Sequence, residues 1–538
     1  DTLSPNKENT FYLYYGAQLI KDETMAESIA DYLQKNKGKK VIHYNGDFHS
    51  NSYLGTAEKL LERMKELKIA VISLTYDKSP ENFVVTDSLT SESDFYIVLK
   101  EKKAELQDQM MSGFHFGENA VASHKIMVKI SPENSFLEGF DEIKFKNPIV
   151  KKSSVILLNS LEVTDFKSLD GKAEYKIVPI DEKYNEIIIE NPTVGKSGNM
   201  TELSNFVISY KGKVMMPPSE TNLLQRHSNS AGIISNKEKE GIYLPSRSFY
   251  PAATKDLADF EINLEIPSEF EIITSAEPKV AIESGIKKYF FKTKLPVDDM
   301  TIVGGKFKVA THTFDNKEFR LYSFDTLKVS EQYLTATEEY YKLYTELFGA
   351  YPFESFSIVE NFFATGFGMP AYTLLSGKLI AMPWVTLSPG SLAHEFVHNW
   401  WGNSVYTDYE SGNWCEALTT FSTNYYYNVL KNNDKEALDW RKKSLIAISA
   451  LPEDRNYPLN EFKYQKDMLD AVVGHQKGAF IFYEIYKLMG KESFFNALKN
   501  FASKNKGKRA YWFNLLSSFN EQAKKDSISH PIRKTFDS

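Results

Sequence analysis

Apolar residues alternate between about residue 110 and residue 315, and from about residue 325 they recur every three to four positions. One packed layer cannot serve both periods, so the change of spacing sets at least two architectures in series. HKIMVKI (124–130), SSVILLNSLEVTDF (153–166), AEYKIVPI (173–180), EIIIEN (186–191), LSNFVISYKG (203–212), DFEINLEI (259–266) and KKYFFKTK (287–294) read as strands separated by turn residues. That pattern suits a sandwich or a large curved sheet. Downstream, VSEQYLTATEEYYKLYTELFG (329–349), SPGSLAHEFVHNWWG (388–402), NWCEALTTFSTNYYYNVLKNN (413–433) and GHQKGAFIFYEIYKLMG (474–490) read as helices. A third pattern precedes both. ETMAESIADYLQKN (23–36) and LGTAEKLLERMKELK (54–68) are helical, KKVIHYNG (39–46) and IAVISLTY (69–76) are strand-like, and 79–94 reads as loop. Helices alternating with such strands predict a small parallel sheet. The expected organisation is multidomain: α/β over 1–105, all-β over 106–320 and mostly α over 321–538.

At 538 residues the chain can bury three separate cores. Its net charge of -7 argues against a nucleic-acid partner, because phosphate neutralisation needs a basic surface. Cys415 is the only cysteine, which excludes an intrachain disulfide and any Cys-based zinc site. No run of 18 apolar residues occurs, so no transmembrane helix is expected.

The stretch HEFVH lies inside the 388–402 pattern, with Ser388 as candidate N-cap, Pro389 at the first helical position and Gly402 past the end. Positions i and i+4 share a helix face, about 5–6 Å apart at Cβ. His394 and His398 can therefore hold one divalent cation. Glu395 is placed beside it to take a proton from metal-bound water. The alternative is two inert buried histidines. A chance H-E-x-x-H among 10 histidines arises on the order of once per hundred such sequences. A catalytic zinc needs a third ligand and an open position. Glu416 is the candidate. Its competing role is a capping box with Asn413, and Asp408 and Glu410 are weaker rivals as ligand. Two histidines and a glutamate most often mean Zn, although Mn and Co share these ligand types.

HEFVHNWWGN, with Glu416 in GNWCEALTTF, resembles the aminopeptidase-N family of zinc metallopeptidases (gluzincins). GIYLPSRSFYP (241–251) and YKLYTELFGAYPFESFSIVE (341–360) extend the resemblance, which runs from about 115 to the C-terminus. It implies an all-β saddle domain followed by a thermolysin-like catalytic domain acting on peptides. It also implies one Zn²⁺ held by His394, His398 and Glu416, with Glu395 as general base. Three departures stand out. Residues 399–415 give 17 positions between the second His and the Glu, where the family usually has 18. The family's G-A-M-E-N segment grips the substrate's α-amino group through its glutamate. Here GFGMPAY (366–372) puts Pro370 at that position and Ala371 at the asparagine. Gly366, Gly368, Met369 and Pro370 remain candidate substrate contacts through strand addition, with Glu360 as a substitute anchor. Finally, GHQKG (474–478) puts His475 where the family's transition-state tyrosine stands, and an imidazole can also donate to an oxyanion.

YYGAQLIKDETMAESIADYLQKN (14–36) and VIHYNGDFHSNSYLGTAEKLLERM (41–64) resemble the C-terminal half of ChaN-like haem-binding lipoproteins. That resemblance implies truncation and a bacterial cell-envelope protein, periplasmic or lipid-anchored. It raises haem as a ligand, with Asp22, Glu23, His43 and His49 as the residues concerned. Without the family's other half, the fragment is expected not to bind haem alone. The expected function is a zinc-dependent peptidase, an aminopeptidase with altered N-terminus recognition. The rivals are an endopeptidase of the same fold and a non-catalytic envelope protein that binds peptide or metal.

Overall fold

The structure, a computed structural model, describes residues 5–46, 49–77, 79–85, 87–100, 119–192, 202–215, 232–235, 240–253, 257–325, 327–361 and 366–528. Contacts divide the chain into two units, Asp1–Glu105 and Leu106–Ser538.

In the first unit, Pro5–Lys35 is one helix and Thr56–Arg63 a second. Ala26 and Ala30 on the first meet Leu60 on the second, with Ile29, Met64, Leu67 and Ile69 around them. Ile72–Asp77 and Phe95–Lys100 pair in parallel, as the α/β pattern predicts. KKVIHYNG forms no strand. A strand needs a neighbour's backbone to complete its ladder, and among the described residues none pairs with this segment, whose Ile42 and Tyr44 are exposed. The candidate haem residues are engaged otherwise. His49 Nδ1 lies 2.7 Å from Asp22 Oδ1, and Thr56 Oγ1 donates to the same oxygen at 2.7 Å. Glu23 pairs with Arg63 and Lys59, while His43 is exposed. These contacts tie the second helix to the first, and the haem ligation raised by the resemblance is not borne out.

The second unit begins with three β-sheets. The largest has seven strands in the order Pro278–Glu283, Ile286–Lys292, Asp259–Pro267, Val121–Ser131, Phe136–Phe145, Asn205–Lys213 and Leu161–Ser168. A three-stranded and a four-stranded sheet complete the layer, and Ile126, Val155, Ile187, Phe206, Ile242 and Leu264 share its core. The run 153–166, read as one strand, is two. Lys152–Leu158 lies in the three-stranded sheet and Leu161–Ser168 in the seven-stranded one. Its first half is buried on successive residues because both faces are covered, which hid the break from a period-two reading.

A five-stranded sheet carries the chain into its helical part, in the order Lys308–Phe314, Lys317–Ser323, Ser355–Asn361, Tyr372–Ser376, Gly366–Met369. The boundary expected at residue 320 falls inside its second strand, which runs parallel to Ser355–Asn361. Helix Ser330–Phe348 covers this sheet, burying Tyr333, Tyr340, Tyr344, Leu347 and Phe348 at helical spacing. Each such side chain stabilises the fold by roughly 2 kcal/mol relative to exposure. Gly349, at φ 91°, ends the helix as its pattern predicts. No helix among the described residues is long and apolar enough to cross a membrane.

Candidate metal centre

The helix bearing HEFVH is shorter than its flanking residues suggest. It spans Leu392–Val397, with Ser391 before it. Ser388 and Pro389 lie in the preceding turn, where Gly390 takes φ 86°, and the Ser388 hydroxyl turns back to the Val385 carbonyl. The C-terminal expectation holds better, since Gly402 has φ 106°. His398 stands at the helix end, yet its N–H still bonds the His394 carbonyl at 3.2 Å. The i,i+4 proximity of the two imidazoles therefore survives, with ring centroids 4.7 Å apart and the rings edge to face. Aromatic packing fixes this segment. Phe396 stacks on Tyr351 at 5.4 Å, Trp401 meets Phe348 at 5.0 Å, and Trp400 Nε1 donates to the Gly349 carbonyl at 3.2 Å.

Glu416 starts the next helix, Cys415–Thr420. Asn413 caps that start, its Oδ1 accepting from the N–H groups of Cys415 (3.1 Å) and Glu416 (3.4 Å). In a full capping box the Glu416 carboxylate would return to the Asn413 N–H. That N–H instead donates to the Phe462 carbonyl at 2.6 Å. The Glu416 carboxylate turns to the histidines: Oε2 lies 3.2 Å from His394 Nε2 and 3.6 Å from His398 Nε2. Donors sharing one tetrahedral zinc at about 2.0–2.2 Å stand about 3.4 Å apart, and the two contacts of the Glu416 carboxylate match that spacing. His398 Nδ1 lies 2.9 Å from the Trp401 carbonyl, the outer hydrogen bond that orients a ligating imidazole.

The electrostatics agree. Burial disfavours charge on both His398 and Glu416. Nevertheless the Glu416 carboxylate, followed by the Cys415 thiol, holds the His398 imidazole well above the usual range. In return the His398 and His394 rings hold Glu416 well below the usual carboxylate range. The Glu416 carboxylate thus favours positive charge at the ring facing it, the sense a cation site needs. Asp408 and Glu410 were the other candidate ligands. Among the described residues the donor atoms that lie mutually within 4.8 Å are those of His394, Glu416 and His475; His398 stands outside that group but reaches Glu416 at 3.6 Å, Asp408 does not join it, and the Glu410 side chain lies outside the described residues.

Glu395 faces the edge strand Gly366–Met369. A Cβ built on Gly368 would lie 2.7 Å from Glu395 Oε2 and 3.2 Å from His398 Cβ, so any larger residue here would displace the Glu395 carboxylate. A Cβ on Gly366 would meet nothing within 4 Å among the described residues. Pro370 and Ala371 form the two-residue turn into Tyr372–Ser376, with Ala371 at φ 71°. This turn explains Pro370, which presets the first central position of a turn whose second has positive φ. Met369 packs in the small core around Tyr372 and Leu374. Glu360 does not sit on the edge strand. It is buried on the strand Ser355–Asn361, and its Oε2 accepts from Ser323 Oγ (2.7 Å) and Phe324 N–H (2.9 Å). That setting does not suit an anchor for a substrate's amino group.

His475 does come to the cluster. Its Nδ1 lies 3.5 Å from Glu416 Oε2 and 3.2 Å from Thr420 Oγ1. It sits in a wide helical turn, Val472–Lys477, and the Glu416 helix likewise runs on into one at Phe421–Tyr426. Such turns recur at functional sites. Three contributors escape a reading by motif. Asn399 Oδ1 accepts from the Ala371 N–H at 2.9 Å, tying the metal helix to the edge-strand turn. Thr420 and the Trp401 carbonyl are the others. Asn399 directly follows His398, but its role depends on a strand 28 residues away.

Comparison with known proteins finds similarity in both units of the chain. Residues 2–60 match the family described as haem-binding uptake, Tiki superfamily, ChaN. No curated protein matches the sequence. Among solved structures, an M1 zinc metallopeptidase from Deinococcus radiodurans aligns with TM-score 0.57 at 15% identity, over 79% of this chain and 96% of that one. A mutant of it bound to a Tyr-Ser-Ala substrate aligns with TM-score 0.57 at 15% identity, over 78% and 94%. Yeast LTA4 hydrolase aligns with TM-score 0.56 at 17% identity, over 75% of this chain and 65% of that one. Residues 326–536, which hold His394, His398, Glu416 and His475, match the family model described as the peptidase family M1 domain.

Proposed function

We propose that the chain is a zinc-dependent peptidase that hydrolyses peptide bonds near the N-terminus of its substrates, with altered recognition of the free amino group. The observation that carries this reading is the convergence of His394, His398 and Glu416 on one point, with Glu395 beside it. Bound there, one zinc ion would supply Lewis acidity, acidifying water and polarising the scissile carbonyl. The protein's own groups do the rest. The edge strand Gly366–Met369 presents backbone for an extended peptide to add as a further strand. Gly368 lets that backbone pass close over Glu395. The Glu395 carboxylate takes the proton of the attacking water and hands it to the leaving amine nitrogen. His475 donates to the carbonyl oxygen as negative charge develops on it.

Pro370 in the turn and Glu360 inside the sheet favour a second reading, cleavage without an amino-group anchor, as in an endopeptidase. Action in the bacterial envelope is part of the proposal and rests on the ChaN-like match alone. The test is a peptide-library digest read by mass spectrometry, with and without chelator, using free and N-acetylated peptides. Removal of N-terminal residues from free peptides only supports aminopeptidase action. Equal rates on acetylated peptides remove that label. Zinc-loaded protein that cuts nothing overturns the enzyme reading in favour of a binding module. Glu395→Gln is expected to keep its zinc and lose hydrolysis.

A further inference from the structure

The hairpin that carries the edge strand turns on Pro370 and Ala371, and the second of these holds φ 71° although it bears a side chain. Glycine or asparagine takes that conformation readily and alanine resists it, so contacts outside the two strands must hold it. Both backbone groups of Ala371 leave the hairpin. Its carbonyl accepts from the Ser357 N–H at 3.0 Å, which ties the turn to the strand Ser355–Asn361. Its N–H donates to Asn399 Oδ1 at 2.9 Å. Asn399 is fully buried, and its Nδ2 donates to the Phe396 carbonyl at 2.8 Å. With a backbone donor on one side and a backbone acceptor on the other, only one orientation of the amide satisfies both. The side chain is thereby a fixed bracket at the end of the metal helix, next in sequence to His398.

The pairing of the hairpin shows what this bracket controls. In an antiparallel pair joined by a two-residue loop, the residues flanking the loop exchange hydrogen bonds and the next pair does not. Met369 and Tyr372 flank this loop and Gly368 faces Thr373, so Gly368 turns its N–H and carbonyl to the free edge. An added peptide strand would meet those groups, and a Cβ on the same residue would lie 2.7 Å from Glu395 Oε2. The seating of the turn against the metal helix therefore sets the distance between a bound peptide and the base. We infer that Asn399 is a positioning residue for the substrate strand: by holding the Ala371 N–H it keeps the turn in its positive-φ form and the Gly368 backbone aligned with Glu395. The inference rests on the peptidase reading above and adds to it the residue that aligns strand and base. In the competing role Asn399 only ends the metal helix through Phe396, and the turn is indifferent to it.

The experiment uses the full zinc-loaded chain as the native protein, Asn399→Ala, Ala371→Gly and the double variant. Three quantities are read on each: steady-state peptide hydrolysis, zinc affinity by competition with a chelating dye, and hydrogen exchange of the segment 366–376 by mass spectrometry. Asn399→Ala is expected to lower kcat/KM by about 3- to 10-fold, the worth of about one hydrogen bond. Its zinc affinity should stay native and its exchange in 366–376 should quicken. In the Ala371→Gly background the same substitution should cost little activity and little protection, because glycine takes positive φ without a bracket. Losses of equal size in both backgrounds overturn the inference in favour of the helix-ending role. Weakened zinc binding that accounts for the whole loss overturns it too, as do native kcat/KM and native exchange in Asn399→Ala. A native chain that cuts no peptide overturns the peptidase reading instead, and the exchange rates still decide whether Asn399 holds the turn.

Discussion

Gly368→Ala tests how closely the edge strand is fitted to the base. The added Cβ would lie 2.7 Å from Glu395 Oε2, 3.2 Å from His398 Cβ and 3.3 Å from His398 Cδ2. An ordinary carbon–oxygen contact is about 3.3 Å, so the carboxylate must retreat by about 0.6 Å or the strand must lift by as much. The histidine contacts need only a few tenths of an ångström. Misplacing a reacting group by about 1 Å costs about 100-fold in rate. The expected loss in kcat/KM is therefore about 10- to 100-fold, or about 1.4–2.7 kcal/mol of transition-state stabilisation. Zinc content should stay at the native level, and stability should change by less than about 1 kcal/mol, because an edge glycine with ordinary φ releases little strain. The assay is steady-state peptide hydrolysis with metal content and a denaturation curve measured on the same preparation. Gly366→Ala, whose added Cβ would meet nothing within 4 Å among the described residues, is the control and should be near silent. Native kcat/KM in Gly368→Ala would refute the placement of Glu395 as base. Equal losses in both variants would show a general intolerance of the strand instead.

Asn413→Ala removes the acceptor for two N–H groups at the start of the Glu416 helix. A loss of about 1 kcal/mol in denaturant unfolding, with weaker zinc binding in the dye assay, is expected; unchanged zinc affinity would show that the cap does not orient Glu416. In the β region, His124 and Asp141 form a fully buried pair at 2.6 Å, the ring stacked on Phe260 at 4.7 Å. His124→Ala leaves that carboxylate buried without its partner and should destabilise by about 3–5 kcal/mol. Converting both residues to apolar ones should recover most of the loss in the same unfolding assay, and no recovery would mean that the pair adds net stability. Removing metal with a chelator should lower the melting temperature of the native chain more than that of Glu416→Gln; equal shifts would remove Glu416 from the ligand set.

Legibility followed the range of the interaction. His394 and His398 were readable because i,i+4 proximity belongs to any helix, and it persists although the helix starts later than Ser388 and Pro389 suggest. Glu416 was the candidate ligand with a capping box as its competing role, and what separates the two is where the Asn413 N–H donates, to Phe462, which lies far along the chain. The strand expected at 39–46 failed because strand formation belongs to a pair of segments. The strand expected at 153–166 was split because its halves serve different sheets. Glu360 looked available by sequence nearness to GFGMPAY, but its strand turns the carboxylate toward Ser323.

The amino-acid order by itself determined the succession of α/β, β and helical regions, the pairing of the two imidazoles and the glutamate beside them. Each depends on periodicity or on neighbours within one turn. Tertiary structure alone decided that Glu416 faces those rings, that Gly368 lies over Glu395 and that His475 joins the cluster. Each of these joins segments tens of residues apart, and their approach is set by the packing of helices and an edge strand, which no local pattern encodes.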